Sequence, residues 1–119
     1  MKIISSAFNR NTKIPSKYTC DGENVNPPLQ FLYVPENAKN LVLIVDDPDA
    51  PSKIWVHWVV YNINPDISGI EENSVPEGGI EGITDFGKPG YGGPCPHSGI
   101  HRYFFKLYAL DSILNLPQN

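Results

Sequence analysis

The chain lacks most of what common function classes require. No apolar run approaches the ~20 residues of a bilayer-crossing helix. Met1–Ser6 has neither the apolar stretch nor the small-residue cleavage site of a secretory leader, so the expected location is the cytoplasm. Positive charge is in deficit: 9 Lys and Arg stand against 13 Asp and Glu, a formal net charge of -4. That excludes the basic face of a non-specific nucleic-acid binder, although a local basic pocket remains compatible with it. No segment carries a 3.6-residue apolar period long enough for a helix. No Ser sits on a G-x-S-x-G elbow, which argues against a Ser–His–Asp hydrolase. Cysteine is scarce, with Cys20 and Cys95 alone. In a cytoplasmic protein the expectation is two reduced, partly buried thiols, with a disulfide as the alternative because pairing depends on a distance the sequence does not give.

What is present points to one β-rich domain. A length of 119 residues suits a single core. The 12 prolines and 10 glycines are spread through the chain and punctuate it into short strands with ordered loops. Four segments read as strands: Leu29–Val34, Leu41–Val45, Ile54–Ile63 and His101–Leu110. Lys2–Phe8 is a weaker fifth. The stretch from Asn64 to Pro89 reads as an ordered loop. The sum is an all-β sandwich with functional loops at one end.

The densest chemistry lies in Tyr91-Gly92-Gly93-Pro94-Cys95-Pro96-His97-Ser98-Gly99-Ile100-His101-Arg102-Tyr103. A stiff Gly/Pro loop leads into a strand expected to open on His101, Arg102 and Tyr103. Alternation places His101 and Tyr103 on one face of that strand, and Trp55, His57, Val59 and Tyr61 on one face of another. Asp47 ends the aliphatic strand. Asp47, His57, His101 and Tyr103 therefore converge if these strands are neighbours. Two imidazoles and a phenol donate hydrogen bonds to a phosphate or carboxylate. An amide from Gly92 or Gly93 adds a directed donor. Asp47 would fix a His tautomer or pair with a ligand ammonium.

Blander readings exist for each piece. A single His on an apolar strand is commonly a satisfied core residue. Asp46–Pro51 alone could be a rigid acidic turn. Arg102 reads first as a structural ion-pair residue, and Trp55 and Trp58 read first as core. Cys95, His97 and His101 with Asp47 have metal-like spacing, but the second matching pair of a zinc site is missing, so no metal and no cofactor are expected.

Several blocks in order, Asp46-Asp47-Pro48-Asp49-Ala50-Pro51, Trp55-Val56-His57-Trp58, Tyr91–Pro96 and Gly99–Tyr103, resemble the signatures of the phosphatidylethanolamine-binding protein family. That family includes the Raf kinase inhibitor protein. Tyr18-Thr19-Cys20-Asp21-Gly22 and Pro27-Pro28-Leu29 resemble its prokaryotic branch. The resemblance implies a Greek-key β fold with a larger and a smaller antiparallel sheet. It also implies a small anion pocket built from Asp47, Pro51, Trp55, His57, Gly93, His101 and Tyr103. It implies binding of phosphorylated headgroups, inhibition of kinases or serine proteases, and no catalytic residues. His97 stands where prokaryotic members usually carry Pro. The chain stops at Leu116-Pro117-Gln118-Asn119, before the helix and final strand the family leads one to expect. Either the sequence is a fragment of a longer chain or a partner chain covers the gap; an uncovered edge strand favours the partner, so a homodimer is the expectation.

Three functions follow as expectations. The first is a non-enzymatic module that binds a small anion or phosphorylated headgroup. The second is a small hydrolase or lyase with His57 as a base oriented by Asp47. The third is a protein-interaction module with a vestigial pocket.

Overall fold

A computed structural model describes residues 1–51, 53–95 and 101–112. Among these residues seven strands follow in chain order: β1 (Lys2–Ile4), β2 (Leu29–Leu32), β3 (Asn40–Asp47), β4 (Trp55–Ile63), β5 (Gly69–Ile70), β6 (Ile80–Glu81) and β7 (Phe104–Leu110). One turn of 3-10 helix at Ser16–Tyr18 is the sole helical element among the described residues. The strands form two antiparallel sheets, β1-β2-β5 and β6-β4-β3-β7. The expected all-β fold with a larger and a smaller sheet is therefore present.

The core lies between the sheets. The smaller sheet contributes Leu29, Phe31 and Ile70, and the larger contributes Leu41, Leu43, Val45, Trp58, Val60 and Ile63. β3 is the central strand, flanked by β4 and β7, which explains its near-continuous aliphatic run. Trp58 is fully buried, yet its indole N–H donates to a Glu81 carboxylate oxygen at 2.7 Å. That bond removes the penalty of a buried unpaired donor.

The strand ends differ from the sequence expectations for identifiable reasons. β3 runs on through Asp47, because Asp46 and Asp47 still pair with Val56 and Trp55. The last strand begins at Phe104, three residues later than expected. The Arg102 amide donates to an Asp49 side chain at 2.8 Å and so takes no place in the ladder. His101 and Tyr103 therefore sit on the approach to β7. The loop read over residues 64–89 contains two short strands, β5 and β6, each only two residues long and below the reach of periodicity. His97 and the chain's last four residues lie outside the described residues.

The expectation of free thiols is overturned. Cys20 and Cys95 form a disulfide across a Cα–Cα distance of 5.4 Å and a sequence separation of 75 residues. The fold brings the two loops together through contacts no local pattern encodes. Closing a loop of that length lowers the entropy of the unfolded chain by an amount worth about 4 kcal/mol in the chain-entropy account.

The packing makes a direct prediction for stability. Leu43→Ala should cost about 3 kcal/mol, because the site is fully buried between the two sheets and leaves a cavity. Val75→Ala, at an exposed position, should change stability by no more than about 0.5 kcal/mol. Urea unfolding with an unchanged m-value measures both.

Candidate functional site

The site is built on a slip in register. Along β3 and β4, Val45 faces Trp58 whereas Asp46 faces Val56. His57 is the extra residue, a β-bulge of the kind that re-aims a side chain. It makes His57 and Trp58 consecutive buried residues. A second slip, between Leu41 and Leu43, falls opposite Tyr61 and Asn62, with Asn62 at φ 56. Strict alternation from Trp55 to Tyr61 therefore fails along β4: Val60 and Tyr61 are both buried. Trp55 and His57 still share a site, because the Phe86 ring packs edge-on against both, at 5.7 and 5.5 Å between centroids.

Phe86 was not among the expected residues. It is placed by its neighbour Asp85, whose carboxylate accepts the Val56 amide at 2.7 Å and whose own amide donates to the Val56 carbonyl at 3.1 Å. Lys53 pairs with the same carboxylate, and holds the Asp85 carboxyl below its ordinary range. The Asp85-Phe86-Gly87 turn was the available signal, but nothing in sequence ties it to β4.

From His57 a chain of contacts leads to Asp47. The His57 and Tyr103 rings meet edge-on at 5.3 Å, and Tyr103 stacks on His101 at 6.4 Å. His101 Nδ1–H donates to Asp47 Oδ2 at 2.7 Å, and both side chains are largely buried. The other Asp47 oxygen, Oδ1, accepts the Asp49 amide at 2.8 Å. Asp49 receives the Arg102 guanidinium on both oxygens, at 2.9 Å each, and this clamp lowers its pKa to about 2. Arg102 is thus a structural ion-pair residue that fastens the acidic turn to the start of β7. Lys106 likewise donates to Asp46 at 2.8 Å.

His57 has a different partner from the one expected. A carbonyl oxygen can only accept, so its Nδ1–H donates to the Gly92 oxygen, at 2.6 Å. The Gly92 amide returns a bond to the His57 carbonyl at 3.0 Å. Asp47 therefore orients His101, and His57 is oriented by backbone. Burial pushes the His57 pKa below its ordinary value, against the opposing pull of the Gly92 carbonyl, Asp47 and Asp46. The imidazole is neutral near pH 7, and its Nε2 makes no hydrogen bond among the described residues. Burial also raises Tyr103, helped by Asp47 and Asp49, to about 12. Its hydroxyl stays protonated and donates to no side chain among the described residues.

The glycines play a packing part. The Gly93 amide donates to Asn24 Oδ1 at 2.8 Å, so neither loop amide suggested as a directed donor is unengaged. A Cβ at Gly93 would run into the Tyr18 carbonyl, and one at Gly92 into the Phe86 ring. Only glycine allows these approaches. Pro51 is exposed at the end of the acidic turn and takes no part in this chain of contacts. The metal alternative loses Cys95 to the disulfide, and no group of three metal-ligating side chains assembles among the described residues.

Comparison with known proteins bears on the family and the fold. The sequence profile described as phosphatidylethanolamine-binding protein matches residues 4–119. A UPF0098 protein of Methanothermobacter thermautotrophicus is 57% identical over 121 residues, covering 98% of this chain and 80% of its own length. One from Archaeoglobus fulgidus is 48% identical over 93% of this chain, but only 40% of its own length is spanned. The crystal structure of CT736 from Chlamydia trachomatis, named as a homologue of phosphatidylethanolamine-binding protein, superposes with a TM-score of 0.91 at 42% identity, over 97% of this chain and 78% of that one. Escherichia coli YbcL, described as a new member of the mammalian family, gives 0.92 at 30% identity, over 99% and 82%.

The His57 environment fixes the sign of one pH effect. With its folded pKa depressed, the unfolded chain binds the proton more readily below the ordinary value of 6.5. This contribution is fully present above pH 6.5 and declines as pH falls from there to the folded pKa. His57→Gln should flatten that window in a plot of unfolding free energy against pH. An unchanged slope between the protein and the variant would contradict the assignment.

Proposed function

The chain belongs to the phosphatidylethanolamine-binding protein family, and we propose that it binds a small anion or phosphorylated headgroup without transforming it. The observation that carries this reading is the contact chain Asp47–His101–Tyr103–His57–Phe86. It gathers one unspent phenol donor and two imidazoles whose Nδ1 atoms are already committed. Trp55 and Phe86 supply an apolar wall. The proposed ligand set is Asp47, Pro51, Trp55, His57, Gly93, His101 and Tyr103, with Phe86 added. Gly93 acts through shape, since its amide serves Asn24.

The charge balance refines the ligand's demands. Arg102 and Lys106 are spent on Asp49 and Asp46. An anion must therefore be met by Tyr103 O–H and by imidazole N–H. Because His57 is neutral when free, an anion at Nε2 brings a proton with it. Affinity rises as pH falls towards the free His57 pKa and levels off below it.

A second reading has its own observation. Asp47 and His101 form a buried carboxylate–imidazole pair, the arrangement that activates a general base. Hydrolysis of a phosphoester, lost on His101→Ala, would select it. Regulation of a kinase or serine protease partner belongs to the proposal through the family resemblance. So does a homodimer, for which β7, the outer strand of the larger sheet among the described residues, exposes Phe104 and Tyr108. The proposed location is the cytoplasm. No helix among the described residues is long and apolar enough to cross a membrane.

Sulfate separates the protein's titration from the ligand's, because sulfate does not titrate between pH 5 and 8. Its affinity should rise as pH falls below about 6.5, with His57 resonances shifting on binding. Tyr103→Phe should weaken binding about tenfold, the worth of one hydrogen bond to a charged group. O-phosphorylethanolamine at millimolar concentration that perturbs neither His57 nor His101 would sink the proposal.

A further inference from the structure

We propose that the Cys20–Cys95 disulfide is a redox modification site, opened by a dithiol reductant, and that its opening releases the loop that holds His57 in position. The inference rests on the anion-site reading above for its consequence, but its structural step stands independently.

Both cysteines are exposed, so a reductant can reach the bridge. A core staple would be shielded. Exchange runs through thiolate attack on one sulfur, giving a mixed disulfide and freeing the other sulfur as a thiol. The reductant's second thiol then attacks the reductant sulfur of that mixed disulfide, closing the reductant's own disulfide and expelling the remaining protein sulfur as a thiol. Two electrons and two protons pass to the protein, which ends with two thiols while the dithiol becomes a disulfide. The proposed location supplies reductants of that chemical class.

The bridge closes one side of a short loop whose other side is the ligand site. Residues 91–95 are fastened to the N-terminal loop by the disulfide and by three hydrogen bonds. Tyr91 O–H donates to the Tyr18 carbonyl at 2.8 Å, Gly93 N–H to Asn24 Oδ1 at 2.8 Å, and Cys20 N–H to the Pro94 carbonyl at 3.2 Å. Gly92, within the same five residues, accepts the His57 Nδ1–H and returns its own amide to His57. The N-terminal loop stays tied to Glu72 through Tyr18 and Lys17, but without the covalent link residues 91–95 are fastened to it by these modest bonds, each of which must bear the cost of ordering the segment. The Gly92 carbonyl then ceases to select the Nδ1–H tautomer, and Nε2 is no longer fixed for a ligand.

The experiment compares oxidised protein, protein reduced with dithiothreitol without denaturant, and the Cys20→Ala/Cys95→Ala double variant. Long-range 15N NMR reads the His57 tautomer with no ligand present, and a sulfate titration reads the site. The expectation is two titratable thiols after reduction and β3 and β4 amide resonances that stay dispersed. His57 should shift from a single Nδ1–H tautomer to a mixture, and sulfate affinity should fall about tenfold. Asn24→Ala in the oxidised protein should move His57 the same way by less. A bridge that resists dithiothreitol, global unfolding on reduction, or an unchanged His57 tautomer would each overturn the proposal. If the oxidised protein fails to bind sulfate, the anion-site reading falls, while the tautomer measurement still decides the redox step.

Discussion

The reciprocal pair of hydrogen bonds between His57 and Gly92 is the constraint on which the site depends. One bond runs from imidazole to carbonyl and the other from amide to carbonyl. Together they dock an irregular Gly/Pro loop on the middle of a sheet that offers it no ladder. The bulge at His57 makes this possible, because it releases one residue of β4 from strict alternation. With His57 turned to the loop, Trp58 is free to enter the core, where it packs edge-on against Tyr91 of that loop. The same few residues thus join the site to the core.

The acidic turn follows a parallel logic. Asp46, Asp47 and Asp49 stand close together, an arrangement that would repel itself if left alone. Each has a separate partner: Lys106, His101 and Arg102. All three partners come from the segment that forms or precedes β7, so charge pairing fixes how that strand approaches β3. The exposed Arg102–Asp49 clamp contributes little to global stability. Its value lies in geometry, since it holds His101 and Tyr103 one residue to either side.

Much of this was legible in the sequence, for physical reasons that also mark where legibility ends. The aliphatic run of β3 and the aromatic run of β4 announce buried strands, because burial on both faces needs apolar side chains throughout. Asp47, Trp55, His57, His101 and Tyr103 stand out as polar or amphipathic groups at the ends of apolar segments, and the fold does gather them. The partners were not legible. Asp47 was assigned to His57 by proximity of parity, but the bulge hands His57 to a backbone carbonyl, and carbonyls carry no sequence signature. Phe86 was missed because the Asp85 bonds to Val56 that place it span 29 residues. The disulfide was misjudged because thiol state depends on a Cα–Cα separation set by the whole fold.

The loop glycines change what kind of anion site the proposal describes. An amide-lined nest would bind an anion with little dependence on pH, since peptide N–H groups do not titrate. Here the Gly92 and Gly93 amides are spent on His57 and Asn24, and both glycines are required because Phe86 and the Tyr18 carbonyl come too close for a side chain. In the proposed site, recognition passes instead to Tyr103, held protonated by burial, and to the second ring nitrogens of two histidines. Such a site is set by protonation and by tautomer. The tautomer of His57 is in turn set by a loop whose far end is tied covalently to residue 20. On the two proposals together, binding is coupled to the state of the bridge through the Gly92 carbonyl, with no need for a larger motion of the sheets.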